Sequence, residues 1–217
     1  MTPARLHLAR PWLRFDLGGP QRVLSWALNR PGFQTASEIV WREVRNADLP
    51  KELDVETWFA AELGAQGAAE SIGFLTSRTI DRYHYTEARC GDVRAFALST
   101  VGLSNAERVG VRQPPHPLSY GTINVAVQVN TALTEAGQLE AMSIAVQART
   151  AAVMDADVPL QGGRATGTGT DCVAVAAAPG DVPYSGLHTE TGEALGRAVY
   201  DAVAAGAAEW LAEQADR

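Results

Sequence analysis

The sequence predicts an α+β fold: a single domain, 1–217, built on a mixed, largely antiparallel β-sheet with helices packed on it. Three observations carry this reading. The first half holds runs of alternating apolar and polar residues joined by glycine-rich turns, the pattern of antiparallel hairpins. The second half reads strand, helix, strand, helix, a rhythm that brings in a parallel pair. A chain of 217 residues, 46% hydrophobic and 20% charged, is long enough for one well-packed core, and two would be small.

The elements follow in order. Residues 12–17 alternate as a half-buried strand, Gly18-Gly19-Pro20 turns the chain, and 22–27 reads as the hairpin partner. Asn29-Arg30-Pro31-Gly32 breaks the chain before a third strand at 38–44. Asp54 is placed to cap a helix in which Val55, Trp58, Phe59 and Leu63 recur at helical spacing until Gly64. A buried strand at 71–76 ends in hydroxyls, and 83–88 pairs with 93–98 through Cys90-Gly91-Asp92. The stretch 99–120, with Pro114-Pro115-His116-Pro117, is the longest expected loop, because proline lacks a backbone donor. A strand at 121–130 alternates cleanly. Thr134 and Glu135 then open a long helix to about Asp155. The loop 165–171, a strand at 171–177 and an alanine-rich helix from Gly192 to about Leu211 complete the chain.

Composition excludes several functions. A net charge of −7 argues against a nucleic-acid partner, since phosphate binding needs clustered Lys and Arg. Lys51 is the only lysine and sits in a polar segment, which disfavours Schiff-base chemistry. Cys90 and Cys172 cannot make a multi-bridge framework, and Cys172 lies in an apolar strand. Residues 1–14 lack the continuous apolar stretch of a secretory signal. No run approaches the roughly 20 apolar residues of a membrane span. The chain therefore reads as soluble and cytoplasmic, with no membrane partner, and a homo-oligomer is compatible with it.

Standard catalytic signatures are absent. There is no dinucleotide fingerprint, phosphate loop or nucleophile elbow. No His-Glu-x-x-His or Cys-x-x-Cys occurs, so no metal site is expected, and His7, His84, His116 and His188 are dispersed. What remains is a set of hydroxyls and amides at expected strand ends, above all Ala165-Thr166-Gly167-Thr168-Gly169-Thr170-Asp171. Glycine there lets the backbone approach a ligand closely, and the threonines and Asp171 supply polar groups. Such groups suit an amide-decorated ligand or an oxyanion. A Thr or Ser nucleophile with His188 as base and Asp171 as its orienter is chemically allowed.

These segments resemble the adenosylcobinamide amidohydrolases. Gly102-Leu103-Ser104-Asn105-Ala106, Gly121-Thr122-Ile123-Asn124, Ala148-Arg149-Thr150-Ala151-Ala152, the 165–171 loop, Gly186-Leu187-His188-Thr189-Glu190-Thr191-Gly192 and Gly196-Arg197-Ala198-Val199-Tyr200 occur in that family's order. The similarity runs from about Ser71 to Val203 and is most specific from Gly121 onward; the first 70 residues match loosely. It implies an amidohydrolase of corrinoid salvage. Such an enzyme cuts the aminopropanol amide of adenosylcobinamide to give adenosylcobyric acid, with the corrinoid as substrate and no cofactor. Arg149 stands where the family usually has Lys, and Leu187 where it has Lys or Arg, so substrate preference follows less directly than reaction type.

On this reading His188, Asp171 and Thr170 are the catalytic candidates. Asn105, Thr122, Asn124, Thr166, Gly167, Thr168, Gly169, Arg149 and Thr76 are the substrate-binding ones. Direct attack by water and a covalent acyl-enzyme both remain open. So do two other readings: a non-catalytic corrinoid-binding protein, and a self-processing hydrolase whose nucleophile is freed at a Gly–Thr bond such as Gly121–Thr122.

Overall fold

In the computed structural model, which describes residues 5–111 and 121–215, the two alternating runs near the start are one strand and not a hairpin. β1 (Arg5–Ala9) pairs with the first half of β2 (Trp12–Ser25), and β3 (Gly32–Glu43) runs antiparallel along the other side of β2. Gly18 and Gly19 take positive φ (75° and 135°), and the β2–β3 register shifts between Asp16 and Gln21. The glycines thus make a bulge that bends the strand instead of reversing it.

α1 (Val55–Ala65) starts at Asp54, whose carboxylate accepts the Thr57 amide (3.2 Å), as its sequence predicts. It leads to β4 (Ile72–Thr76), which lies parallel to β3. β5 (Tyr83–Cys90) and β6 (Val93–Val101) form the expected hairpin, followed by the short β7 (Ala106–Glu107). The proline-rich segment around His116 lies outside the described residues. β8 (Ile123–Val129), α2 (Glu135–Asp155) and β12 (Cys172–Ala177) make a strand–helix–strand crossover, so β8 and β12 pair in parallel. Between α2 and β12 come β9 (Pro159–Leu160), β10 (Gly163–Arg164) and β11 (Gly167–Thr168), the last paired with β7. α3 (Glu190–Ala215) is longer at both ends than its apolar spacing suggests, and the Thr189 hydroxyl accepts the Gly192 amide at its start.

The main sheet runs β4-β3-β2-β12-β8-β6-β5, antiparallel except for the β3–β4 and β8–β12 pairs. It folds over on itself at β2. Leu13, Phe15, Ile39, Trp41, Ile72 and Phe74 from one limb pack against Phe96, Leu98, Ala126, Ala174 and Ala176 from the other. Each large side chain in this seam contributes about 2 kcal/mol through its removal from water. The alanines of β8 and β12 keep the limbs close. Their alternate neighbours Val125, Val127, Val173 and Val175 face the opposite way, onto Ile144 of α2 and Leu195 and Val199 of α3. α1 covers the outer limb through Phe59 and Leu63. The layers are therefore helix, sheet limb, sheet limb, helix pair. No helix among the described residues is long and apolar enough to cross a membrane.

Candidate active site

The parallel pairing of β8 and β12 puts the starts of both strands at one edge of the sheet, with Cys172 opposite Asn124. β6 is antiparallel to β8, so its exit, residues 102–105, reaches the same edge, where the Gly102 amide donates to the Thr122 carbonyl (2.9 Å). β2 is antiparallel to β12 and delivers Trp26 there. The fold-over adds β4, held by a bond from Asn124 Nδ2 to the Leu75 carbonyl (2.8 Å). Together these enclose a cavity of about 590 Å³.

One side of the cavity is polar, with Asn105, Thr122, Asn124, Thr170 and Asp171. The other is apolar, with Trp26, Leu28, Val44, Leu49, Phe74 and Leu75. Trp26 and Leu28 are 46% and 44% exposed, so the apolar side continues to the rim. The Trp26 indole N–H donates to the Asp171 carbonyl (2.8 Å), which sets the ring between this cavity and a second one of about 400 Å³ lined by Arg149, Thr166 and Thr168.

Asp171 holds the polar side together. Its Oδ2 accepts from Arg149 Nη1 (2.5 Å) and the Thr168 amide (3.0 Å). Its Oδ1 accepts from the Ile123 amide (3.1 Å) and the Thr168 hydroxyl. Burial pushes the carboxyl up from the ordinary value, while Arg149 and the Thr168 and Ile123 donors pull it down. Arg149 Nη1 also donates to the Thr166 carbonyl (3.0 Å). Gly167 lies directly over the pair, where a Cβ would collide with Arg149 Nη1 and Asp171 Oδ2. That close approach is the structural reason for glycine at this position.

The remaining hydroxyls have defined partners. Thr122 Oγ1 donates to the Thr170 carbonyl (2.8 Å), with Asn124 Oδ1 at 3.5 Å. Thr170 Oγ1 donates to the Gly121 carbonyl (3.0 Å). Thr166 Oγ1 accepts from the Val109 amide (2.8 Å) and faces the smaller cavity. Gly169 lies between Asn105 and Glu107, each 3.9 Å from where its Cβ would be.

Asn105, Thr122, Asn124, Thr170 and Asp171 thus meet in one cavity, and Arg149 with 166–169 stands just behind them. Two of the expected site residues, His188 and Thr76, lie outside this cluster. His188 follows the C-terminal end of β12, in the connection that pairs with Leu133 through Pro179 and Val182, whereas Asp171 precedes the N-terminal end. His188 lines neither the cavity nor the smaller one behind it. Its side chain is exposed, and the His188–Asp171–Thr170 triad is not assembled. Thr76 is buried and does not line the cavity, its Oγ1 accepting the Arg78 amide (3.0 Å). Its neighbours Leu75 and Ser77 line the cavity in its place.

Sequence reasoning missed Trp26, Leu28, Phe74 and Leu75. A signal for the first two existed: in the run 23–28 the outward phase carries Leu24, Trp26 and Leu28, while Ser25 and Ala27 point inward. Large apolar residues on the exposed phase mark a surface with something to bind. Among the described residues no group of His, Cys, Asp and Glu has the arrangement of a metal site.

The profile of the adenosylcobinamide amidohydrolase family (CbiZ) matches residues 2–215, including the 70 residues that resemble it only loosely by eye. No curated protein sequence matches the chain. With almost the full length aligned, the chain belongs to the adenosylcobinamide amidohydrolase family.

Proposed function

We propose that this chain hydrolyses the aminopropanol amide of adenosylcobinamide, giving adenosylcobyric acid and 1-amino-2-propanol. The observation that carries the reading is the cavity at the β8 and β12 starts, which sets hydroxyl and amide groups opposite an apolar wall. A space of about 590 Å³ is in the range that holds a drug-sized ligand. A corrinoid is larger, so the cavity takes the amide arm while the ring rests on the rim at Trp26 and Leu28. The polar side offers Asn105, Thr122 and Thr170 to the scissile amide, whose carbonyl oxygen gains charge as the bond is attacked. Asp171 acts as a positioning residue, since its oxygens are engaged by protein donors.

The test is direct. Purified protein incubated with adenosylcobinamide is expected to release 1-amino-2-propanol, read by mass spectrometry, with equimolar adenosylcobyric acid. Trp26→Ala is expected to raise KM more than it lowers kcat, because the ring contact forms in the ground state and persists in the transition state. Recovery of intact adenosylcobinamide from a protein that binds it, seen by its absorbance, would establish a corrinoid binder instead.

A further inference from the structure

A hydroxyl nucleophile in this cavity has no base beside it. Thr122 is buried, 7% exposed, and lines the cavity, and its Oγ1 donates to the Thr170 carbonyl (2.8 Å), which takes no proton at neutral pH. Among the described residues no histidine or lysine lines the cavity, and its one carboxylate, Asp171, is held by Arg149, Thr168 and Ile123. An N-terminal threonine solves this problem chemically, because its own α-amine serves as the base.

The bond that would have to open is already arranged for attack. The Gly121 carbonyl accepts from Thr170 Oγ1 (3.0 Å), the donor that a carbonyl oxygen needs as it becomes an oxyanion. Gly121 is gripped by the 102–105 turn: a Cβ there would lie 2.7 Å from the Gly102 carbonyl oxygen, 2.8 Å from Asn105 Oδ1 and 2.9 Å from the Ser104 nitrogen. Asn105 Oδ1 is buried with no hydrogen-bond partner. It is an acceptor awaiting a donor, and a freed amine on Thr122 supplies one beside it.

We propose that the chain cuts itself between Gly121 and Thr122, and that Thr122, then N-terminal, is the nucleophile of amide hydrolysis. Thr122 Oγ adds to the Gly121 carbonyl carbon, and the Thr170 hydroxyl holds the oxyanion. The Gly121–Thr122 C–N bond breaks, and the Oγ proton passes to the departing nitrogen, leaving Gly121 as an ester on Thr122 Oγ. One water hydrolyses the ester, giving a carboxyl group on Gly121, a free hydroxyl on Thr122 and a free α-amine. Nothing is oxidised or reduced, and water is the only co-reactant. In turnover, which rests on the hydrolase reading above, the same oxygen takes the acyl group of the corrinoid arm. The α-amine passes the proton to the leaving aminopropanol, and a second water frees the acid.

The two pieces stay together after the cut. β8 pairs with β6 from Ile123 to Val129, and α3 packs on β5 and β6, with Thr86 Oγ1 donating to the Ala198 carbonyl (2.6 Å). Separation therefore needs denaturation. Intact-mass spectrometry of the denatured full chain is expected to show 1–121 and 122–217, with masses summing to the uncut chain plus one water, while native spectra show a single species containing both. Thr122→Ala is expected to remain one chain, Thr122→Ser to cut, and Thr170→Val to cut about a hundredfold more slowly, the usual effect of losing an oxyanion donor. A wild type that stays uncut and folded by circular dichroism overturns the proposal, as does cutting of Thr122→Ala at the same bond. An uncut wild type that releases aminopropanol overturns self-cleavage and leaves the hydrolase reading intact. A cut protein that leaves adenosylcobinamide whole overturns the hydrolase reading alone.

Discussion

Arg149 Nη1 lies 2.5 Å from Asp171 Oδ2, with the two side chains only 12% and 7% exposed, which makes this the most buried ion pair among the described residues. It fastens α2 to the start of β12 and, through Thr168, fixes the loop between them. Asp171→Ala would leave a buried guanidinium without its counter-ion, and is expected to lower unfolding free energy by about 3–5 kcal/mol. Arg149→Met combined with Asp171→Leu is expected to lie closer to wild type, because burying an ion pair yields little net stability. Urea melts of the three proteins check this; coincident melting of Asp171→Ala and wild type would contradict it.

Gly167→Ala tests the same contact from the backbone side. Its Cβ would collide with Arg149 Nη1 and Asp171 Oδ2, so the pair must separate, at a cost of about 1–3 kcal/mol. Hydrolysis should fall with it. Gly169→Ala is the control, since nothing approaches its Cβ position closer than 3.9 Å. A melting temperature that drops for Gly167→Ala and not for Gly169→Ala is the expected pattern.

Cys172 lines the cavity, yet burial pushes its thiol up to about 12, with a weak pull back from Ser25. The thiolate is the reactive form, so this upward push disfavours Cys172 as a nucleophile near neutral pH. Alkylation of this thiol at pH 8 is expected to be slow in the folded protein and fast after denaturation. Cys172→Ala should retain turnover. Rapid native alkylation with parallel loss of activity would reverse the assignment.

His188→Ala should leave the rate at saturation nearly unchanged, because the imidazole is exposed and lines neither cavity. Removal of a general base costs a hundredfold or more. Steady-state kinetics distinguishes the two outcomes without ambiguity.

Local signals were legible in the sequence wherever short-range chemistry decides the structure. Asp54 and Thr134 cap the helices they precede, and the β5–β6 hairpin turns at Gly91, where φ is 56°. The parallel pair around α2 followed from its strand–helix–strand order. Gly18-Gly19-Pro20 misled because positive φ serves a bulge as well as a turn, and only the strands on either side of β2 decide between them. The polar cavity residues were named from their motifs, but the pairing of His188 with Asp171 was not testable by spacing. Both flank β12, and sequence proximity says nothing about which end of a strand a residue occupies. Part of the apolar wall was hidden for a related reason: Phe74 and Leu75 reach the cavity only through the fold-over of the sheet.

The bond from Asn124 Nδ2 to the Leu75 carbonyl has a mechanical meaning. It spans the crease of the sheet at the foot of the cavity, where it works as a crossbar on a hinge. The aperture between the two limbs is then fixed by a main-chain anchor before any guest arrives. Capture of the substrate by such a rigid mouth should follow a single relaxation whose rate rises linearly with concentration. Asn124→Ala, with the crossbar gone, should add a slower, concentration-independent phase as the two limbs settle around the ligand.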